Sequence, residues 1–373
     1  MVLALRAIEV HIPGASLAMG KRLFYALSIL LGVASFCAMP FLVGMHDVLW
    51  TIGRVGWFGV LLFVANASCT LLIPAIGWWL LMRAEGIPAA LSTAIKANLM
   101  GFPLDFVVPS AYLGGEPLKM VYIARVCHVT TQRVLATILV AKFQEFGGLV
   151  LGLIVATGLV VWRTDAFTTP RAALLIAVMV ILIGLLALTL YAFAGRFTPI
   201  VTLLTCLARW RIFPQKMARL RAFAAEVEHL ISLALTERVP VFLLAQSITG
   251  LSAVSIFIRP WIFFWFLPGA RLSVDQLCAL FVLTNLVNLL TVVPGGLGWF
   301  EATMAGYASA TGLGDDKGVA FALVSRMADL TLLTIGCWLI VHAGLSHLAR
   351  GQAGDRQASA ERIQTPGKVS EKA

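Results

Sequence analysis

The sequence predicts an all-α polytopic membrane protein, with about six full spans plus two re-entrant or broken helical hairpins arranged as an inverted repeat. Three observations predict it. First, the 373 residues are 60% hydrophobic and only 12% charged, about half the ~25% charged share of a soluble domain, and the mean hydropathy is +0.92. Second, several apolar runs reach the roughly 20 residues a helix needs to cross about 30 Å of hydrocarbon. They are continuous rather than alternating, which excludes a membrane β-barrel. Third, one interruption occurs twice, as Val108-Pro109-Ser110-Ala111-Tyr112-Leu113-Gly114-Gly115-Glu116 and as Val293-Pro294-Gly295-Gly296-Leu297-Gly298-Trp299-Phe300-Glu301.

In each copy a Val-Pro opens a glycine-bearing break, and a glutamate stands seven positions after the proline. The echo continues downstream. Lys142 lies 33 positions after Pro109 and Arg326 lies 32 after Pro294, each followed three residues later by an acid, Glu145 or Asp329. Asn98 and Asn285 open the apolar approach to the two breaks.

Taken in order, residues 1–22 form a cytoplasmic N-terminal segment that ends in the positive flank Lys21-Arg22. Residues 23–45 are the first span and 57–82 the second, with Trp57, Trp78 and Trp79 placed for the interfacial belts. Residues 87–108 are apolar but carry Lys96, Asn98, Gly101, Pro103 and Asp105. A lipid-facing span would not tolerate these, so the segment reads as a re-entrant or broken helix ending at Pro109. Residues 112–133, with Lys119, Arg125, His128 and Arg133, read as cytoplasmic surface. The third span, 134–162, carries Lys142 and Glu145. The fourth, 172–194, is uniformly apolar.

The basic stretch 196–238 has apolar residues at helical spacing and reads as an amphipathic segment along the inner membrane surface. Residues 239–267 are the fifth span, with Arg259-Pro260 near its outer end. Residues 274–293 enter again and stop at Pro294, and 318–345 form the last span, with Arg326 and Asp329. Residues 346–373 read as a disordered cytoplasmic tail. The transmembrane domain therefore covers 23–345, with repeat halves at about 87–162 and 274–345.

Lysines and arginines concentrate in the N-terminus, 116–133, 196–238 and the tail. This places both termini of a multi-pass membrane protein in the cytoplasm. The third and last spans then run in opposite directions, so the first break opens to the cytoplasm and the second to the outside. The net charge of +10 falls between the apolar runs, as anchors for anionic lipid do, and not as a nucleic-acid footprint. The six cysteines are scattered without CxxC or metal-site spacing, so no disulfide framework, metal site or cofactor is expected. The first apolar run is too long for a signal peptide's core, and no small-x-small cleavage site clearly follows it. No Walker loop, nucleotide fingerprint or hydrolase elbow is present. ATP-driven pumping by this chain alone and a catalytic centre are therefore not expected.

A helix that begins inside the bilayer presents unpaired N–H groups and a positive dipole end. Gly114-Gly115 and Gly295-Gly296-x-Gly298 let a ligand approach that backbone and suit an anionic head group such as a phosphate. Glycine and proline are also common wherever a membrane helix merely turns. Glu116 and Glu301 read either as caps or as a gate and partner for a cationic group. Lys142/Glu145 and Arg326/Asp329 each share one helix face, and ionisable groups at mid-membrane cost roughly 3 kcal/mol or more each. Two readings stand for these pairs: an internal salt bridge in each half, or cross-pairing that lines an amphiphile's polar path and exchanges partners as the halves rock. Lys96, Asp105 and Arg259 are further candidate partners.

With Pro109…Gly114-Gly115-Glu116, Lys142-x-x-Glu145, Pro294-Gly295-Gly296-x-Gly298-x-x-Glu301 and Arg326 with Asp329, the chain resembles the transmembrane region of lysylphosphatidylglycerol synthases, the flippase-like membrane proteins. The resemblance runs from about Leu23 to Leu345, and the PGGxGxxE element is its most specific part. The family's pattern at the first charged pair looks like arginine with aspartate, where this chain has Lys142 and Glu145. The resemblance implies a region that moves a lipid across the bilayer, and site residues at the motif positions just quoted. Only about two dozen polar residues follow the last span, so the synthases' soluble transferase domain and its aminoacyl-transfer activity are expected to be absent. Short forms of the family resemble translocases of phospholipids or of polyprenyl-linked glycolipids.

The expected partners are membrane lipids. A separate lipid-modifying enzyme or a glycosyltransferase stands as an alternative, with this chain its non-transporting scaffold or regulator. An ion-coupled carrier of a small anion is a third reading. An oligomer is compatible with the sequence.

Overall fold

The computed structural model describes residues 44–107, 114–164, 199–208, 214–290 and 294–364, with isolated helical positions between 177 and 191. The described residues form helices and no strand. In order these are α1 (Met45–Ala84), α2 (Leu91–Val107), α3 (Glu116–Cys127), α4 (Thr131–Thr164), α5 (Pro199–Ala208), α6 (Pro214–Thr236), α7 (Val239–Trp265), α8 (Val274–Leu290), α9 (Trp299–Ala310) and α10 (Asp315–Gln364), with a 3-10 turn at Pro294–Gly296 before α9. Among the described residues, the four stretches long and apolar enough to cross a membrane are Met45–Ala84, Thr131–Leu159, Val239–Trp265 and Asp315–Ala343. They correspond to four of the six predicted spans. The other two, 23–45 and 172–194, lie essentially outside the described residues.

The long helix α1 organises the rest. α7 runs against it in the opposite sense: Phe58 meets Phe266, Asn66 donates to Ser255 at 3.0 Å, and Gly77 packs on Ala245 and Thr249. α4 also opposes α1, with Trp78 Nε1 donating to Thr137 Oγ1 at 3.0 Å and Arg133 donating to the Glu85 carbonyl. α10 runs with α1, since Thr51 donates to Asp316 Oδ2 at 3.0 Å and Phe63 stacks edge-on against Phe321 further along. α4 and α10 therefore point in opposite directions.

Two cores form at different levels of α1. Trp78, Leu81 and Met82 pack with Ile123 of α3 and with Val134 and Ile138 of α4. Val48, Val55 and Phe63 pack instead with Phe263, Phe300, Met304 and Phe321. In the second core four phenylalanines surround Phe321 at centroid distances of 5.5 to 6.2 Å, each such pair contributing about 0.5–1.5 kcal/mol beyond its buried area. Direct packing of this kind matters in a bilayer, where lipid tails are as apolar as leucine and helices gain little by hiding from them.

Two predictions need correction. Residues 112–133 read as surface, yet α3 buries Glu116, Lys119 and Ile123, because its charges have partners inside the protein. In the segment 196–238, read as amphipathic, Ala224, Val227, Ile231 and Ala234 of α6 are buried. Their helical spacing forms one stripe, and α6 lays it on α4 and α7. An Arg238–Glu85 ion pair closes that junction. At the other end of the chain, the helix of α10 runs on through 346–364, where the sequence reads a disordered tail.

Candidate functional site

The first break joins α2 to α3. Gly115, the N-cap of α3, donates its backbone N–H to Asp105 Oδ1 at 2.8 Å, so an acid at the end of α2 satisfies a donor that the start of α3 leaves open. The two backbones touch: a Cβ on Gly115 would stand 2.4 Å from the Gly101 carbonyl oxygen. The Lys119 stem lies against Gly101 of α2, and the side chain is buried. Its Nζ reaches Glu116 Oε1 at 3.1 Å and Asp105 Oδ2 at 3.7 Å. From α4, Lys142 Nζ reaches the same Glu116 oxygen at 3.0 Å and Glu145 Oε2 at 2.8 Å.

Three carboxylates thus meet two ammonium groups. A narrow cleft with room for about one water passes Glu116, Lys119, Lys142 and Glu145, beside Pro74 and Trp78 of α1. Gly114 is half-buried at the edge of the break. Pro109 lies outside the described residues.

The second break joins α8 to α9 through the turn Pro294–Gly296. Gly295, Gly296 and Gly298 all have positive φ, 63°, 64° and 82°, a backbone region that glycine enters at no steric cost. Gly295 also needs its missing side chain, because a Cβ there would stand 2.5 Å from the Phe106 ring. Glu301 is fully buried and does two jobs. Its Oε2 accepts the Gly298 N–H at 2.6 Å and closes the first turn of α9, and its Oε1 accepts Arg326 Nε at 2.8 Å. Arg326 Nη1 faces Asp329 Oδ2 at a longer 3.5 Å. The guanidinium lies between two rings, 5.1 Å from the centroid of Phe300 and 5.9 Å from that of Phe106.

Both acid–base pairs predicted from their three-residue spacing are therefore present, and the structure adds the glutamate of each break to its pair. Among the described residues, the ion pairs of the two clusters stay within their own halves. In this conformation the pairing is internal to each half.

The two acids that follow the glycines differ. Glu301 caps its helix, whereas Glu116 makes no capping bond and serves the lysines, leaving the capping bond to Asp105. Of the three further candidate partners, Asp105 joins the first cluster and Lys96 is exposed. Arg259 donates Nη2 to Thr70 Oγ1 at 2.7 Å, lies toward Asn66 Oδ1 at 3.4 Å, and acts electrostatically on Asp329. Asn98 and Asn285 each donate to a backbone carbonyl, of Leu71 and Phe281 respectively.

Sequence reasoning missed Lys119, Phe106, Asn66 and Thr70 as members of the site. Lys119 carried a signal, its three-residue spacing from Glu116. Phe106 carried none. It is a first-half residue whose ring covers Gly295 and approaches Arg326, while its neighbour Asp105 belongs to the first cluster. Among the described residues no group of three or more histidine, cysteine or acidic side chains is arranged to hold a metal ion.

The clusters meet α1 at different levels. The first sits beside Pro74 and Trp78 of α1, and the second reaches Phe63, Asn66 and Thr70 through Arg259. From Thr70 to Trp78 is about 12 Å along a helix that rises 1.5 Å per residue.

Comparison with known proteins gives a consistent result. Residues 25–337 match the family model described as the lysylphosphatidylglycerol synthase TM region. A UPF0104 membrane protein of Methanothermobacter thermautotrophicus is 23% identical over 327 residues, covering 86% of this chain and 94% of that protein. A second UPF0104 membrane protein, from Pyrococcus horikoshii, is 21% identical over 325 residues, covering 83% of this chain and 94% of that protein. No solved structure matches.

Proposed function

We propose that this chain, which belongs to the lysylphosphatidylglycerol synthase transmembrane-region family, is a lipid translocase of the bacterial inner membrane. It carries a phospholipid, or a glycolipid or polyprenyl-linked lipid, by alternating access, without ATP hydrolysis and without a catalytic centre. One observation carries this reading: two buried ionic clusters, each built on a helix break, meet α1 at different levels.

Such clusters are costly inside hydrocarbon and are kept where a polar group must pass. Discontinuous helices related across the bilayer, with their site near its middle, are the architecture of many secondary transporters. The opposed directions of α4 and α10 support an inverted repeat, with the first break facing the cytoplasm and the second the outside. In the resting state each half pairs its cations with its own acids. A polar head group entering one cluster competes for its cations, loosens the half, and favours the opposite opening. The transmembrane potential or the lipid's own gradient supplies direction.

The test is purified protein reconstituted into liposomes with fluorescent phospholipids in one leaflet. Leaflet exchange above protein-free vesicles is the expected result. No exchange unless a lipid-modifying enzyme or glycosyltransferase is added would replace this reading with that of a membrane partner. Uptake of a soluble anion without lipid exchange would replace it with that of an ion-coupled carrier.

A further inference from the structure

We infer that the second cluster contains a binding subsite for a phosphate-class anion between Arg326 and Arg259, and that Asp329 is the chain's own anion that the ligand displaces. The inference names the head group for the translocase reading and rests on that reading only for the lipid source of the phosphate.

The two carboxylates beside Arg326 are held very differently. Glu301 is fully buried and fixed twice, by the Gly298 N–H at 2.6 Å and by Arg326 Nε at 2.8 Å. It cannot leave without opening the first turn of α9. Asp329 stands 3.5 Å from Arg326 Nη1, beyond the 2.7–2.9 Å of a good charge-assisted bond, and its side chain keeps 25% of its exposure. It is the loose acid of the pair.

Arg326 is only 5% exposed, and among the described residues its Nη2 has no hydrogen-bond partner. A guanidinium offers five N–H donors and no acceptor, so the unpartnered Nη2 is open to an acceptor that arrives from elsewhere. A buried polar group left in this condition costs more than a made bond gains. Arg259 of α7, held by Thr70 and Asn66, is a second guanidinium close enough to act electrostatically on Asp329.

A phosphate answers this arrangement better than a carboxylate does. It is tetrahedral, can present oxygens to two planar forks at once, and matches guanidinium geometry in pairs of bonds. While no ligand is bound, Glu301 and Asp329 together balance the two cations, and Asp329 does so loosely enough to be replaced. The first cluster offers no such subsite, because its ammonium groups already contact three carboxylates.

The full chain, purified in detergent and free of phosphate, is titrated with dihexanoyl phosphatidic acid below its micelle concentration, with inorganic phosphate, and with dihexanoylglycerol as the phosphate-free control. The dissociation constant is the readout. Asp329→Asn removes the competing anion and should tighten binding about tenfold, and Arg259→Gln should weaken it about tenfold, each the worth of roughly one charge-assisted hydrogen bond. Tightening on loss of a carboxylate is a response that a merely structural role for Asp329 does not give. Arg326→Gln should abolish binding, but because it strips a buried acid of its cation the decision rests on the other two variants.

Binding of phosphatidic acid alone assigns the subsite to a lipid head group. Comparable binding of inorganic phosphate assigns it to free phosphate. Equal binding of dihexanoylglycerol, no saturable binding at all, or unchanged binding in both Asp329→Asn and Arg259→Gln overturns the inference. Leaflet exchange measured in parallel separates the two ideas. Exchange without phosphate binding removes the subsite and keeps the translocase, whereas phosphate binding without exchange does the reverse.

Discussion

The first cluster sets two ammonium groups against three carboxylates, whereas the second sets two guanidinium groups around two carboxylates. The difference is one of geometry as much as of charge. An ammonium is a compact point charge on a flexible stem with three rotatable donors, so Lys119 and Lys142 can share one oxygen of Glu116 and trade partners at little cost. A guanidinium is a rigid planar fork. Arg326 is locked by an acid that also caps a helix, and only its side toward Asp329 is loose. The two halves thus place similar charges at matching positions and give them different freedom. The lysine half is redundant, and the arginine half is fixed at one edge and open at the other.

The largest effect that would break this contrast is on stability. Arg326→Gln leaves Glu301 charged and without its cation in the core, which costs about 3–5 kcal/mol. Thermal unfolding in detergent should show a large loss, and leaflet exchange should vanish. A shift no bigger than that of a surface variant would mean that Arg326 and Glu301 are not locked together.

The next effect tests the contact between the halves. Gly295→Ala must hold a positive φ and displace Phe106, at a cost of about 1–3 kcal/mol. Adding Phe106→Ala should recover the steric part and not the backbone part. A double-mutant cycle on unfolding stability measures this coupling, and strictly additive losses would show that the ring and the turn are independent.

The smallest stability effect belongs to the redundant cluster. In Lys142→Gln, Glu116 keeps Lys119 and Glu145 is partly exposed. The loss should therefore stay below that of Arg326→Gln, while leaflet exchange is abolished and membrane insertion is kept. Retained exchange would sink the idea that this ammonium group lines the path.

What the sequence disclosed follows from the range of its signals. The pairs Lys142/Glu145 and Arg326/Asp329 were legible because three-residue spacing on a helix is a local fact. Glu301 as a cap was legible for the same reason, standing three residues after Gly298 before an apolar run. The burial of Lys119 was not, because it depends on α2 approaching close enough for Gly101 and Gly115 to touch. Arg259 was visible as a cation inside a span, but its meeting with Thr70 depends on how α7 lies against α1, 189 positions away in the chain. Phe106 looked like any apolar residue. The amphipathic stripe of α6 was legible as a stripe, but its contact with α4 and α7 was not, because periodicity tells which face is apolar and not what covers it.

One measurement bears on the whole scheme more directly than any other. In a chain freed of its native cysteines, a single cysteine at Pro117, exposed beside the first break, or at Leu297, in the turn of the second, is treated with a membrane-impermeant thiol reagent on vesicles of known sidedness. The expected result is labelling of Pro117→Cys from the cytoplasmic side alone and of Leu297→Cys from the opposite side alone. Labelling of both from one and the same compartment would contradict openings on two faces of the bilayer and, with them, alternating access between the two clusters.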